Sequence, residues 1–137
     1  MIRKLKREEI PIIAEGFEKF MREQFIKINE KPITKVEYEK ILNKNIKTSN
    51  MLVLEEEKIK AFMWFIREKD EINLEEIFSF ERAKGYGKQL LGFLLNYSKE
   101  EKIKRINIDV HFKNKNALTF FKKFGFTERT IELSLEL

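Results

Sequence analysis

Apolar and polar positions along this chain change period several times, and each change marks an element. From about Glu8, the residues Ile10, Ile13, Phe17, Phe20, Met21 and Phe25 recur at steps of three and four, the apolar stripe of one helix. Pro11 falls in its first turn, where a missing N–H is tolerated. Asn29 to Pro32 breaks the stripe. Thr34-Lys-Val-Glu then reads as a capping box, with Glu37 reaching back, and opens a second helix to about Lys47. Before these helices, Met1 to Lys6 alternates as a short strand. After them, Met51 to Leu54 and Ile59 to Arg67 read as an antiparallel pair joined by a tight turn, Glu55-Glu-Glu-Lys. Lys69-Asp70 turns the chain into a further strand, Glu71 to Ser79.

The second half alternates helix and strand. Tyr86 to about Lys99 buries Leu90, Leu91, Leu94 and Tyr97. Arg105 to His111 sets Ile106, Ile108 and Val110 against Arg105, Asn107, Asp109 and His111, a strand with one polar face. Asn114 to Phe124 carries Ala117, Phe120, Phe121 and Phe124 at helical spacing, and Gly125 supplies a left-handed stop. The tail from Phe126 to Leu137 alternates Ile131, Leu133, Leu135 and Leu137 and is expected to close the sheet. The order β-α-α-β-β-β-α-β-α-β is that of one α/β domain over residues 1–137, with a mixed sheet and neither repeat nor linker.

Composition narrows the chemistry. A chain of 137 residues with thirteen phenylalanines can bury a substantial core. Charged residues reach 37%, with lysine and glutamate interspersed, the pattern of a solvated surface. The net charge of +5 favours anionic partners, and a phosphorylated cofactor satisfies it as well as nucleic acid does. No cysteine is present, so disulfides and thiolate chemistry are excluded, and a single histidine argues against a zinc site. The longest apolar run, Ala61 to Ile66, is far short of the ~20 residues of a membrane span. The charged N-terminus lacks an apolar signal core, which makes cytoplasm the expected location.

Between the strand ending at Ser79 and the helix opening at Tyr86 lies Arg82-Ala-Lys-Gly-Tyr-Gly. A strand, a glycine-bearing turn and a helix form an anion site, because first-turn N–H groups lack intrahelical partners and the helix dipole adds partial positive charge. Gly85 and Gly87 let a phosphate approach the backbone, and Arg82, Lys84 and Lys88 add charge. The dinucleotide fingerprint fails at Leu90, and the triphosphate loop fails because Gln89 follows Lys88. What remains is a pyrophosphate cradle or a turn that binds nothing.

Here the chain resembles the GNAT superfamily of acetyl-CoA-dependent N-acetyltransferases. That family's [RQ]-x-x-G-x-[GA] signature is met by Arg82 to Gly87. Its second signature, Asn-x-x-Ala with an aromatic pair and then Gly-Phe, is met by Asn114-Lys-Asn-Ala-Leu-Thr-Phe-Phe-Lys-Lys-Phe-Gly-Phe. The resemblance implies a mixed central sheet splayed between its fourth and fifth strands and flanked by helices. It implies acetyl-CoA as cofactor, a small-molecule or protein amine as acceptor, and allows a homodimer. It assigns the diphosphate to the backbone of Arg82, Ala83, Lys84, Gly85, Tyr86, Gly87 and Lys88, the pantetheine arm to Ile77, and the thioester carbonyl to the N–H of Glu75. Asn114 and Phe121 complete the cofactor contacts.

Acetylating an amine requires a base. On the fourth strand Glu71, Asn73, Glu75 and Ile77 share one parity, opposite Ile72 and Leu74. Relatives that use a base on this strand carry it at the position of Glu71 or two residues on, where this chain has Asn73. Glu71 is therefore the first candidate, Glu75 the second, and Asp109, at the end of the fifth strand, the third. The plain alternative for each is a carboxylate facing solvent or paired with a lysine. His111 reads as a surface residue or one near the acceptor mouth. Phe121 stands where many relatives carry a tyrosine that protonates the leaving thiolate; water, Tyr86 or Tyr38 would have to substitute. The acceptor site is expected from the segment Phe25 to Tyr38, with Glu30 weakly favouring a cation. A catalytically silent acyl-CoA-binding module is the competing reading. A nucleic-acid binder, suggested by Lys113, Lys115, Lys122 and Lys123, is disfavoured because Phe120, Phe121 and Phe124 have core spacing.

Overall fold

In the computed structural model, which describes residues 1–28, 31 and 33–137 but not the side chains of residues 24–28, a five-stranded sheet separates two helical layers. The elements are β1 (Ile2–Lys4), α1 (Ile10–Ile28), α2 (Lys35–Asn45), β2 (Asn50–Glu56), β3 (Lys58–Glu68), β4 (Glu71–Ser79), α3 (Tyr86–Glu100), β5 (Arg105–Asn107) and α4 (Lys115–Lys123). A single 3-10 turn, Arg7–Glu9, leads into α1 where the sequence suggests helix from Glu8. The expected break at Asn29 to Pro32, with Glu30, lies outside the described residues, as does the Phe25 side chain.

The strands follow one another across the sheet, β1-β2-β3-β4-β5, antiparallel except for the parallel pair β4–β5. Both faces of β3 are covered, so it reads as a nearly unbroken apolar run. Phe62 joins Ile13, Phe17, Tyr38, Leu42 and Phe78 in the core under α1 and α2. Ala61, Met63 and Phe65 join Leu90, Leu91, Leu94 and Phe121 in the core under α3 and α4. The Thr34 cap forms as expected, its Oγ1 accepting the Glu37 N–H at 3.2 Å. The Thr34 hydroxyl donates in turn to the Glu37 carboxylate at 3.0 Å, and Glu18 of α1 accepts the Lys35 N–H at 3.0 Å, tying α1 to the head of α2.

Three expectations are corrected. The fifth strand spans Arg105–Asn107 and not Arg105 to His111. Its pairing with β4 covers only Glu71 to Asn73, after which β4 continues to Ser79 with no strand of the described residues on that side. The sheet is therefore splayed there. The tail from Phe126 to Leu137 does not close the sheet: it forms no strand, and Ile131, Leu133, Leu135 and Leu137 are more than 80% exposed. Alternation sets which face of a strand is apolar and does not by itself make the strand. The third correction concerns the parity of β4, and it bears directly on the site.

Candidate active site

On β4 the register with β3 slips by one residue. Met63 lies opposite Ile77 and Trp64 opposite Glu76, but Phe65 lies opposite Leu74, so Glu75 has no cross-strand partner. This is a β-bulge, and it reverses which side chains share a face. Before it, Ile72 and Leu74 pack under α3 and α4. After it, Ile77 takes that side and Phe78 packs under α1 and α2. Glu71, Asn73, Glu75 and Ile77 therefore do not share one face. Glu76 instead joins Phe78 on the α1–α2 side. Apolar spacing in Ile72, Leu74 and Ile77, two residues and then three, is the sequence signal for the extra residue.

Glu76 is half-buried, and loss of solvent raises its carboxyl pKa to about 8, with the nearby charge of Glu75 adding to the effect. The Ile77 N–H opposes the shift by hydrogen bonding but does not outweigh it. Tyr38 packs face to face on Phe17, ring centroids 3.6 Å apart. Its hydroxyl is buried with no hydrogen-bond partner among the described residues, and burial, followed by the charge of Glu76, pushes the phenol well up. Phe20 stacks against Phe78 beside them, and Trp64, across from Glu76, donates its indole N–H to Ser49 Oγ at 2.8 Å. An aromatic wall with one high-pKa carboxyl is suited to taking a proton from an ammonium group near neutral pH.

At the far end of β4 the chain enters the glycine turn. Ala83 and Gly85 both adopt left-handed backbone, φ 59° and 77°, and nothing lies within 4 Å of where a Cβ on Gly85 would sit. The first intrahelical bond of α3 runs from the Gln89 N–H to the Gly85 carbonyl at 3.0 Å, leaving the preceding amides without helical acceptors. Arg82, Lys84 and Lys88 are exposed around them, and Arg82 forms an ion pair with Glu23 of α1. This turn borders a cavity of about 1250 Å³ walled by α1, the end of β4 and α4. Ile77, Arg82 to Lys88, Asn114 and Phe121 all line it. Asn114 also caps α4, its Oδ1 accepting the Ala117 N–H at 3.2 Å.

The other expected residues lie elsewhere. Glu71 borders a separate cavity of about 280 Å³ at the start of β4. There it accepts from Asn107 Nδ2 at 3.1 Å and pairs with Arg105 at 3.5 Å. Glu75 is exposed at the bulge, and Asp109 is exposed beyond the end of β5. His111 Nδ1 accepts the Lys113 N–H at 3.2 Å, and its ring stacks on Phe112. Phe121 is buried against Phe120 and Phe126 and offers no hydroxyl to the cavity. Among the described residues no cluster of acidic and histidine side chains could hold a metal ion, and no helix is long and apolar enough to cross a membrane.

Residues 15–126 match the model of the Acetyltransferase (GNAT) family. No curated protein matches the chain. Among solved structures, the chain is similar to a probable acetyltransferase at 20% identity and TM-score 0.76, covering 100% of this chain and 97% of that one. It is also similar to the PaiA N-acetyltransferase from Thermoplasma acidophilum in complex with coenzyme A, at 17% identity and TM-score 0.77, covering 96% and 92%. A Trypanosoma brucei acetyltransferase aligns at 16% identity and TM-score 0.70, covering 100% and 99%.

Proposed function

This chain belongs to the GNAT acetyltransferase family, and from that premise we propose that it transfers an acetyl group from acetyl-CoA to a primary amine of a small molecule or protein. The observation that carries the reading is the pairing, on one strand, of a cavity-facing cradle at one end and a high-pKa carboxyl at a bulge. The residues fit the cofactor: left-handed backbone at Ala83 and Gly85, open space at Gly85 and three exposed cations make an anion cradle.

In this reading the backbone of Arg82, Ala83, Lys84, Gly85, Tyr86, Gly87 and Lys88 holds the diphosphate. The edge of β4 around Ile77, which no strand occupies, takes the pantetheine arm, and Asn114 and Phe121 line the opposite wall. Bound there, acetyl-CoA supplies the acetyl group as an activated thioester. Glu76 is assigned the base, receiving the amine proton on its carboxylate. Glu71 is engaged by Arg105 and Asn107, Glu75 acts on Glu76 through its charge, and Asp109 lies past the end of β5. The N–H of Glu75, at the bulge, is assigned to the carbonyl oxygen, where one such donor is typically worth about 3 kcal/mol. Phe121 provides no acid, but a thiol with an ordinary pKa of about 8.5 leaves tolerably as its anion.

Phe121 also favours a second reading, an acyl-CoA-binding module with little turnover. Incubation with labelled acetyl-CoA and a panel of polyamines, amino acids and peptide N-termini separates the two. Labelled acetyl-amine is the product expected of the enzyme; tight coenzyme binding without product with any acceptor would favour the module.

A further inference from the structure

Coenzyme A held as proposed takes the part of the large cavity beside the glycine turn and α4. The part against α1 is left, and its floor is aromatic: Phe20, Phe78 and Phe80 line it, with Ile12, 47% exposed, beside them. Phe20 and Phe80 each stack on Phe78, ring centroids 5.4 and 5.7 Å apart, yet both stay half-buried. A Cβ on Gly16 would come within 2.8 Å of the Phe80 ring, so that ring lies directly on the backbone of α1 and has no room to move toward it. Fixed, half-covered rings in a cavity gain by burial under an apolar ligand.

Glu76 precedes Phe78 by two residues on the same side of the sheet, roughly 7 Å away along the strand. An amine nitrogen at Glu76 therefore places a ring on a two-carbon tether over Phe78 and Phe20. Charge limits what else the ligand carries. Among the described residues four carboxylates line the cavity, Glu15, Glu18, Glu23 and Glu81. Glu18 pairs with Arg22 at 2.9 Å and Glu81 with Lys60 at 3.0 Å. Even with Arg82, Lys84 and Lys88 all turned to coenzyme phosphate, Lys19, Arg22, Lys58 and Lys60 balance those four carboxylates. The α1 side then holds no surplus negative charge for a second ammonium.

We propose that the acceptor is a monoamine carried on an aromatic or branched apolar body, with that body seated on Phe20, Phe78 and Phe80. This deepens the acetyltransferase reading and rests on it. The ammonium gives one proton to the Glu76 carboxylate, and the free amine forms the C–N bond as the thioester C–S bond breaks. Coenzyme A leaves as its thiolate, and the surplus proton on the new amide nitrogen passes to that thiolate or to solvent.

Thiol release from acetyl-CoA, compared for phenethylamine, ethylamine and spermidine, tests the proposal on the full chain. Phenethylamine should lead the other two in kcat/KM by roughly 10²-fold, the scale on which an apolar pocket separates substrates, with the difference in KM. Phe20→Ala should shrink its lead over ethylamine to a few-fold, and Phe20→Leu should keep most of it. A merely loosened fold would lower both amines alike and leave the ratio in place. Trp64, the chain's single tryptophan, packs against the same core opposite Glu76, so its fluorescence follows amine binding to protein loaded with coenzyme A, without turnover. Phenethylamine should bind there at least tenfold more tightly than spermidine. Equal or better kcat/KM for spermidine or ethylamine overturns the inference and leaves the acetyltransferase reading standing, as does a ratio that Phe20→Ala does not change. Thiol release with no amine at all overturns that reading, and the Trp64 titration then decides the inference alone: the tenfold preference supports it, and any smaller one overturns it.

Discussion

Trp64 of β3 stands opposite Glu76 of β4, while the next residue, Phe65, stands opposite Leu74. That one-residue slip turns Glu76 to the α1–α2 side, near enough to Tyr38 for its charge to act there, in place of the face that simple alternation assigns it. The backbone register, more than the identity of any one side chain, decides which carboxyl of β4 is turned toward the core under α1 and α2.

If Glu76 is the base, its charged form sets the rate. Activity should rise with pH and level off above about 8, the pKa its burial imposes. Glu76→Gln should lower the amine-dependent rate by roughly 10²–10⁴-fold and abolish that limb, while coenzyme A affinity stays unchanged. Steady-state rates across pH, paired with calorimetric titration of coenzyme A, make the comparison. A fall in affinity equal to the fall in rate would assign Glu76 to binding.

The same shift predicts a stability effect of defined sign. A carboxyl with a raised folded-state pKa holds a proton that the unfolded chain has released, so stability falls as pH climbs from the ordinary carboxylate range to about 8. Within that window the loss approaches about 1.4 kcal/mol per pH unit as an upper limit. Glu76→Gln should therefore match wild type near pH 4 and be the more stable protein at pH 9. Urea unfolding at the two pH values checks it; equal midpoints at pH 9 would mean that Glu76 ionises freely in the fold.

Gly85 sits at φ 77° with open space where a side chain would be, so substitution there strains backbone without crowding anything in the ligand-free protein. Gly85→Val should cost about 1–2 kcal/mol of stability. Because the open space is where phosphate is expected, it should also weaken coenzyme A binding by well over tenfold. Calorimetry on the folded variant distinguishes the two effects, and undiminished affinity would move the diphosphate away from this turn.

Arg82 is held by Glu23 across the mouth of the large cavity. Glu23→Gln removes a negative charge and releases the guanidinium toward an incoming phosphate. Coenzyme A should bind a few-fold more tightly at low salt, with the gain shrinking as salt rises. A variant that binds more weakly would mean that Glu23 positions Arg82 for the ligand.

Much of this was legible in the sequence because its signals are local. The Thr34 cap, the apolar stripes of α1 and α3 and the glycine turn each depend on a few neighbouring residues, and each forms where its residues indicate. Two features depend on distant partners and were read incompletely. The bulge that turns Glu76 to the α1–α2 side exists only against β3, and its trace is the uneven spacing of Ile72, Leu74 and Ile77. The tail alternates as a strand should, but alternation states which face is apolar and not whether an edge will pair with it. Glu71 satisfies the positional expectation for a base, yet the Asn107 and Arg105 side chains that occupy it come from β5, 34 to 36 residues away along the chain.

The most direct test is the appearance of free thiol from acetyl-CoA, followed across pH with and without an amine acceptor. The account predicts thiol release that requires the amine, rises to a plateau above about pH 8, and is lost in Glu76→Gln. Release that ignores the amine, or none with any acceptor although coenzyme A binds, would contradict it.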